Sequence, residues 1–181
     1  LSQNKGNTVS NLSSTRALRD VTEKHGGTYT ASAVGEVNVV NAMKANKAVI
    51  GGEGNGGIIL PEAHYGRDAL VGIALFLSLL AKKQIAVSAL KNTYPLYFMS
   101  KKKIDLNPTL DVDALLKSME NKYANEPLTT VDGVKIDFAD SWVHLRKSNT
   151  EPIIRIYTEA PSQQQADALA DRFISELKAL S

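Results

Sequence analysis

The alternation of apolar and polar positions follows one rule in the first half of the chain and another in the second. Thr8-Val9-Ser10-Asn11-Leu12 reads as a strand, and Thr15 to His25 as a helix stopped by Gly26-Gly27, a pair suited to a left-handed C-cap. Thr28 to Ala33 reads as a second strand, Val37 to Asn46 as a second helix, and Ala48-Val49-Ile50 as a third, very short strand. Ile58-Ile59-Leu60 is extended and closed by Pro61. A helix from about Asp68 to Lys82 follows, apolar almost all round, which predicts burial on several sides. Strands alternating with helices imply a parallel α/β layer.

Around Asn92 to Asn107 the pattern breaks, with Pro95 and Lys101-Lys102-Lys103, just ahead of Pro108. Beyond it Val112, Leu115, Leu116, Met119 and Tyr123 recur at helical spacing. Val131-Asp132-Gly133-Val134 signals a tight hairpin, since Asp-Gly accepts the positive φ of a type I′ turn. Trp142 to Lys147 and Ile153 to Thr158 read as strands. Ser162 to Gln165 is a capping box opening a helix with Ala166, Leu169, Ala170, Phe173, Ile174 and Leu177 on one face. The expected fold class is α/β, a mixed, largely parallel sheet with flanking helices, followed by a small α+β domain, an antiparallel sheet with two helices. The expected boundaries are 1–91 for the first domain, 92–107 for a linker and 108–181 for the second domain.

Composition narrows the field of functions. The 181 residues are 43% apolar and 22% charged, the profile of a globular chain with a real core. Cysteine is absent, which excludes disulfides, thiolate metal sites and thiol nucleophiles and fits a reducing, cytoplasmic setting. The longest greasy run, Ala69 to Ala81, falls short of the roughly 20 residues needed to span a bilayer. Residues 1–99 hold ten Lys or Arg against six Asp or Glu, and residues 100–181 hold eleven against thirteen. Neither balance makes the concentrated basic face of a nucleic-acid binder, and the Lys101–Lys103 run reads as a solvated strand edge or linker. No histidine pair has metal-ligand spacing, and no Ser/His/Asp set stands out. The chain opens on Leu1 without a Met or a signal-like run, which reads as a piece of something longer.

Two loops carry candidate chemistry. Gly51-Gly52-Glu53-Gly54-Asn55-Gly56-Gly57 formally contains a GxGxxG match, but the extended stretch after it is no helix to face a pyrophosphate. No Gly-Lys-Ser/Thr occurs, so a Walker loop is excluded. What remains is a flexible backbone at the C-terminal end of a strand, with one acid and one amide suited to a hydroxyl-rich ligand; the alternative is a plain surface turn. The second loop, Arg146-Lys147-Ser148-Asn149-Thr150-Glu151-Pro152, has Arg155 close behind. An arginine fork, two hydroxyls and turn N–H groups describe an anion cradle, although a strand-to-strand turn needs the same small polar residues.

Taken in order, Ser13-Ser14-Thr15-Arg16-Ala17-Leu18, Val34-Gly35-Glu36, the glycine cluster, His64-Tyr65-Gly66-Arg67-Asp68 and Arg146 to Pro152 resemble the α-D-phosphohexomutases, the family of phosphoglucomutase, phosphomannomutase and phosphoglucosamine mutase. The resemblance covers essentially the whole chain and implies most of the third of four domains followed by the fourth. It implies that Glu53, Gly54 and Asn55 contact sugar hydroxyls, and that Arg146, Ser148, Asn149 and Thr150 grip the phosphate that is not transferred, with Arg155 as a further candidate. It implies an intramolecular phosphotransferase using a phosphoserine, a bisphosphorylated sugar and Mg²⁺, with serine and metal loop in preceding domains of the same chain. This chain is then expected to bind mannose, glucose or glucosamine phosphates without catalysing, with no catalytic or metal residue of its own and no nucleic-acid or membrane partner. The rival reading is a non-catalytic sugar-phosphate or anion-binding module. Many family members have serine where Asn55 stands and histidine where Gly57 stands.

Overall fold

The computed structural model describes residues 1, 4–105, 111–148 and 151–180. The chain divides into two compact units, Leu1–Leu96 and Tyr97–Ser181.

The first unit runs β1 (Thr8–Asn11), α1 (Ala17–Lys24), β2 (Tyr29–Ser32), α2 (Glu36–Asn46), β3 (Ile50–Gly52), β4 (Ile58–Ile59), α3 (Ala69–Lys83) and α4 (Val87–Lys91). Its sheet has the order β2-β1-β3-β4, with β2, β1 and β3 parallel and β4 antiparallel to β3. Strand alternation divides the faces. Val9 and Ile59 join Val39 and Met43 of α2 in the core, whereas Thr8 turns the other way and its hydroxyl meets that of Thr22 on α1 at 2.6 Å. Helices therefore lie on both faces of the sheet. Local signals mark the helix ends: Gly26, at φ 78, follows the end of α1, and the Asp68 carboxylate caps the start of α3 by accepting from the Val71 N–H at 3.0 Å.

Helix α3 does not meet the expectation of burial on several sides. None of its residues is buried, and Leu70 and Leu77 are 77% and 57% exposed. Its contact with the sheet runs through β4, where Gly72 packs on Ile58. A cleft of about 810 Å³, lined by Leu18 and Val21 of α1, Ile50 of β3 and Leu79 of α3, separates the two helices on that face. An all-round apolar pattern records what a helix can bury; among the described residues only one side of α3 finds a partner.

The second unit comprises β5 (Phe98–Asp105), α5 (Val112–Lys122), β6 (Leu128–Thr129), β7 (Val134–Asp137), β8 (Trp142–Lys147), β9 (Ile153–Ala160) and α6 (Gln163–Leu180). The sheet order is β5-β9-β8-β7-β6, antiparallel throughout. The two helices cover one face, with Met119, Phe173 and Leu177 packed on Val143, Leu145, Ile154 and Ile156. The Tyr123 and Phe173 rings stack at 5.2 Å between their centroids. The capping box at Ser162 forms: the hydroxyl accepts from the Gln165 N–H at 3.2 Å and donates to its side-chain oxygen at 2.9 Å.

The structure corrects two boundaries. Residues 92–107, expected as a linker, contain β5, paired with β9 from Phe98↔Ala160 to Asp105↔Ile153. Of the two readings of the lysine run, strand edge or linker, the structure takes the first: β5 is an edge strand, so Lys101 and Lys103 face water where a central strand would carry apolar residues. The Asp132-Gly133 hairpin forms, but as a loop over residues 130–133 between Thr129 and Val134. Within that loop Gly133 alone takes a positive φ, 74°. Asp132 is not left-handed because it is engaged elsewhere: its carbonyl accepts from His144 Nε2 at 2.6 Å and its carboxylate from Arg146.

Gly133 cannot carry a side chain. A Cβ there would collide with the Leu145 carbonyl oxygen, in a conformation that L residues adopt at a cost of about 1–3 kcal/mol. Gly133→Ala should therefore destabilise the second unit by roughly 3 kcal/mol. Urea unfolding followed through Trp142, the chain's single tryptophan and fully buried, measures it; a change under about 1 kcal/mol, within the reach of chain-entropy effects alone, would show that the hairpin is soft. His144 is buried beside the same loop, and loss of hydration lowers its pKa to about 4. The folded state keeps the imidazole neutral while the unfolded chain protonates near 6.5, so stability falls as pH drops from about 6.5 to 4. The loss is about 3 kcal/mol at most. His144→Gln should flatten that part of the acid-unfolding curve; an unaltered slope would assign it to the carboxylates instead.

Candidate functional site

The glycine cluster forms a hairpin turn between β3 and β4, with Gly51 opposite Ile59 and Gly52 opposite Ile58. Its ends are tied by the Glu53 N–H, which donates to the Gly57 carbonyl at 2.9 Å. That closeness needs glycine: a Cβ on Gly52 would run into the same Gly57 oxygen. The turn lies beyond the carboxyl end of β3, where open α/β sheets gather ligands.

Glu53 leaves the turn pointing back toward the sheet, and its side chain is only 6% exposed. Its Oε1 accepts from Asn11 Nδ2 at 3.0 Å and from the Gly35 N–H at 3.3 Å. Asn11, at the end of β1, is aimed by Ser14, whose hydroxyl donates to the Asn11 carbonyl oxygen at 2.8 Å. The second carboxylate oxygen of Glu53 faces Arg67 Nη1 at 3.4 Å. Gly54 and Asn55 are exposed at the tip, and the Asn55 carbonyl oxygen accepts from the Gly57 N–H at 3.3 Å. A cleft of about 420 Å³ opens here, bounded by Asn55, Gly56 and Gly57 on one side and by Glu36, Arg67 and Asp68 on the other. Hydrogen bonds from the Arg67 backbone and side chain hold the Glu36 carboxyl below the usual glutamate range. The Val71 N–H and the His64 ring do the same for Asp68.

In the second unit, Arg146 is the penultimate residue of β8 and stands in register with Arg155 on β9. Directly paired residues of antiparallel strands share a face, and here it is the one away from α5 and α6. The Arg146 Nε donates to Asp132 Oδ1 at 2.9 Å, a bond that leaves the terminal amino groups of the fork for an oxyanion. Arg155 bridges to Glu151 at 3.2 Å and Lys147 to Asp113 at 2.7 Å. The turn is closed by the Ser148 N–H donating to the Ile153 carbonyl at 3.0 Å. Asn149 and Thr150 lie outside the described residues.

Each set of sequence candidates is thus assembled within its own unit: Glu53, Gly54 and Asn55 in the first, and Arg146, Ser148 and Arg155 in the second. The sequence gives Asn11 and Asp132 no role in either site, and it carries Glu36 and Arg67 only within segments that bear the family resemblance. These residues orient the candidates across 14 to 42 positions of chain, a separation with no periodic signal. Among the described residues no group of three His, Cys, Asp or Glu side chains has the arrangement of a metal site, and no helix is long and apolar enough to cross a membrane.

Comparison with known proteins gives this geometry a context. The family model for phosphoglucomutase/phosphomannomutase, alpha/beta/alpha domain III, matches residues 1–97, and that for the C-terminal domain matches residues 100–176. A phosphoglucosamine/phosphogalactosamine mutase of Sulfurisphaera tokodaii is 34% identical over 94% of this chain and 37% of its own length. A phosphoglucomutase/phosphomannomutase of Thermococcus kodakarensis is also 34% identical, over 87% of this chain and 35% of its own length. The crystal structure of a phosphoglucomutase/phosphomannomutase family protein from Burkholderia thailandensis superposes with a TM-score of 0.79 at 27% identity, covering 99% of this chain and 39% of that one. The chain therefore spans a little over a third of the length of these relatives. Two successive domain models account for nearly every residue, and on that ground the chain belongs to the phosphoglucomutase/phosphomannomutase family, of which it carries domain III and the C-terminal domain.

Proposed function

We propose that this chain is the substrate-gripping part of a phosphohexomutase that interconverts sugar 1-phosphates and 6-phosphates. The first unit reads the sugar and the second holds a phosphate. The observation that carries the reading is the Arg146 fork: Asp132 pins its Nε, Arg155 stands opposite it, and the Ser148 turn lies beside it. A guanidinium fixed in this way has lost its side-chain freedom before an anion arrives, so less affinity is given up on binding. Ser148, with Asn149 and Thr150, supplies the hydroxyl, amide and N–H groups that complete the oxyanion's hydrogen bonds. Arg155 adds positive potential from the neighbouring strand.

The glycine turn takes the sugar end, with Glu53 accepting from ring hydroxyls and the exposed Asn55 amide able to accept and to donate. Phosphoryl transfer to and from a serine, through a bisphosphorylated sugar, belongs in this reading to the parts of the relatives that this chain does not span. Among the described residues no group of three His, Cys, Asp or Glu side chains could hold the Mg²⁺ that the family resemblance implies. The relatives named for glucosamine, galactosamine, glucose and mannose phosphates make all of these candidate substrates.

The reading is tested by calorimetric titration of the 181-residue chain with glucose 6-phosphate, mannose 6-phosphate, glucosamine 6-phosphate and inorganic phosphate. Arg146→Ala should weaken every phosphorylated ligand by roughly 10- to 100-fold, the worth of a charge-assisted hydrogen bond. It should leave any response to unphosphorylated glucose unchanged. Equal weakening of phosphorylated and neutral sugars would remove Arg146 from the anion site.

A further inference from the structure

Arg67 lines the glycine-turn cleft, and neither the sugar contacts of Glu53 and Asn55 nor the Arg146 loop uses it. Three elements converge on its side chain. Glu36, at the start of α2, accepts from the Arg67 backbone N–H at 3.1 Å and from its Nε at 2.9 Å. Glu53, at the end of β3, faces its Nη1 at 3.4 Å. The aliphatic stem lies against Gly57, where a Cβ would come within 2.5 Å of the Arg67 Cδ and 3.0 Å of its Cγ. The bare backbone at position 57 thus gives the guanidinium its route into the cleft. Its side chain is 47% exposed, against 35% for Glu36 and 6% for Glu53. Of the three it presents the most surface to a ligand.

A carboxylate can only accept and a guanidinium can only donate. Neighbouring hydroxyls on a sugar ring need both, because a hydroxyl that donates to a carboxylate leaves the oxygen next to it seeking a donor. Glu53 Oε1 is already taken by Asn11 and Gly35, and Arg67, which lines the cleft, stands beside its Oε2. The long 3.4 Å contact between them is weak enough to yield to a ligand that satisfies each partner separately.

We propose that Arg67 is a sugar-contacting residue, donating to the hydroxyl oxygen next to the hydroxyl that Glu53 accepts from, and that Glu36 is the positioning residue that holds it there. The inference rests on the glycine turn being the sugar grip. It makes vicinal hydroxyls, read as one donor and one acceptor, the feature recognised by the first unit. Glu36 uses one oxygen for the backbone and the other for Nε, so it fixes both the stem and the plane of the guanidinium, whose Nη1 faces Glu53 Oε2.

Two measurements on the 181-residue chain test this. The first compares the affinity for glucose 6-phosphate with that for inorganic phosphate, the ratio being the sugar's own contribution. Arg67→Gln should cut that ratio about 10-fold and leave phosphate affinity unchanged. Glu36→Gln should lower it less. Gly57→Ala, which displaces an intact Arg67, should lower it as Arg67→Gln does. A ratio unaltered by Arg67→Gln but lost in Glu53→Gln would overturn the proposal while sparing the sugar grip. A wild-type ratio of one would overturn the sugar grip itself and the proposal with it. The second measurement, carbon-13 NMR of the carboxyl groups, needs no ligand. The Glu36 titration midpoint lies below the ordinary glutamate range and should rise toward it in Arg67→Gln. The Glu53 resonance should move in both Arg67→Gln and Gly57→Ala. An unmoved Glu53 resonance in Arg67→Gln would show that no bridge joins the two side chains.

Discussion

A guanidinium at the end of a long side chain recognises a ligand well only if something else has already stopped it moving. In this protein that something is a carboxylate carried by a different element. Asp132, in the turn before β7, fixes Arg146 at the end of β8, and Glu36, at the head of α2, fixes Arg67 ahead of α3. In each case the carboxylate takes Nε, so the plane of the guanidinium is set by an element other than the one that carries it. The surrounding backbone is then shaped to keep the carboxylate in place. Gly133 lets its turn press against β8, and His144 holds the Asp132 carbonyl from below. In the first unit the Arg67 backbone N–H doubles as a donor to Glu36, so the chain that carries the arginine also holds its anchor.

These anchors explain which features were readable in the sequence. Strands β1, β2, β8 and β9 and helices α1, α2, α5 and α6 follow from local apolar patterning and stop signals, because each is announced within its own few consecutive residues. The glycine turn and the Arg146 loop were legible from composition, since glycine, amides and hydroxyls at strand ends have few other uses. The partners of those loops were not legible. Asn11 and Glu53 are 42 positions apart, and nothing in either stretch announces the other. Strand β5 was missed for a related reason. Its charged face is a property of its position at the sheet edge, which is a tertiary fact. The Asp132-Gly133 turn shows the same override, with side-chain demands displacing the tight geometry that the dipeptide favours on its own.

The sheet of the second unit divides its labour by face. Val143, Leu145, Ile154 and Ile156 meet the helices, and the alternate positions bring Trp142, His144 and Arg146 to the other side. That second face carries a buried polar layer: the Trp142 Nε1–H donates to Glu159 at 2.8 Å, and the Lys135 ammonium lies 4.4 Å from the indole ring centre. Such a layer adds little net stability, but it tolerates few alternative arrangements and so holds the strand ends in register. The loop that opens at Arg146 inherits that register, because its first residue is the last of the same row.

Helix α3 sets the first unit apart in a different respect. A helix that keeps Leu70, Ile73 and Leu77 in water while folded has little more apolar surface to release when it unfolds. Heat-capacity change and denaturant sensitivity both scale with newly exposed surface. The first unit should therefore melt over a broad temperature range with a shallow denaturant dependence, beside a second unit whose denser core gives a sharper transition. The two units would then differ in how they respond to temperature: the first softens gradually, while the second holds until it fails as a whole.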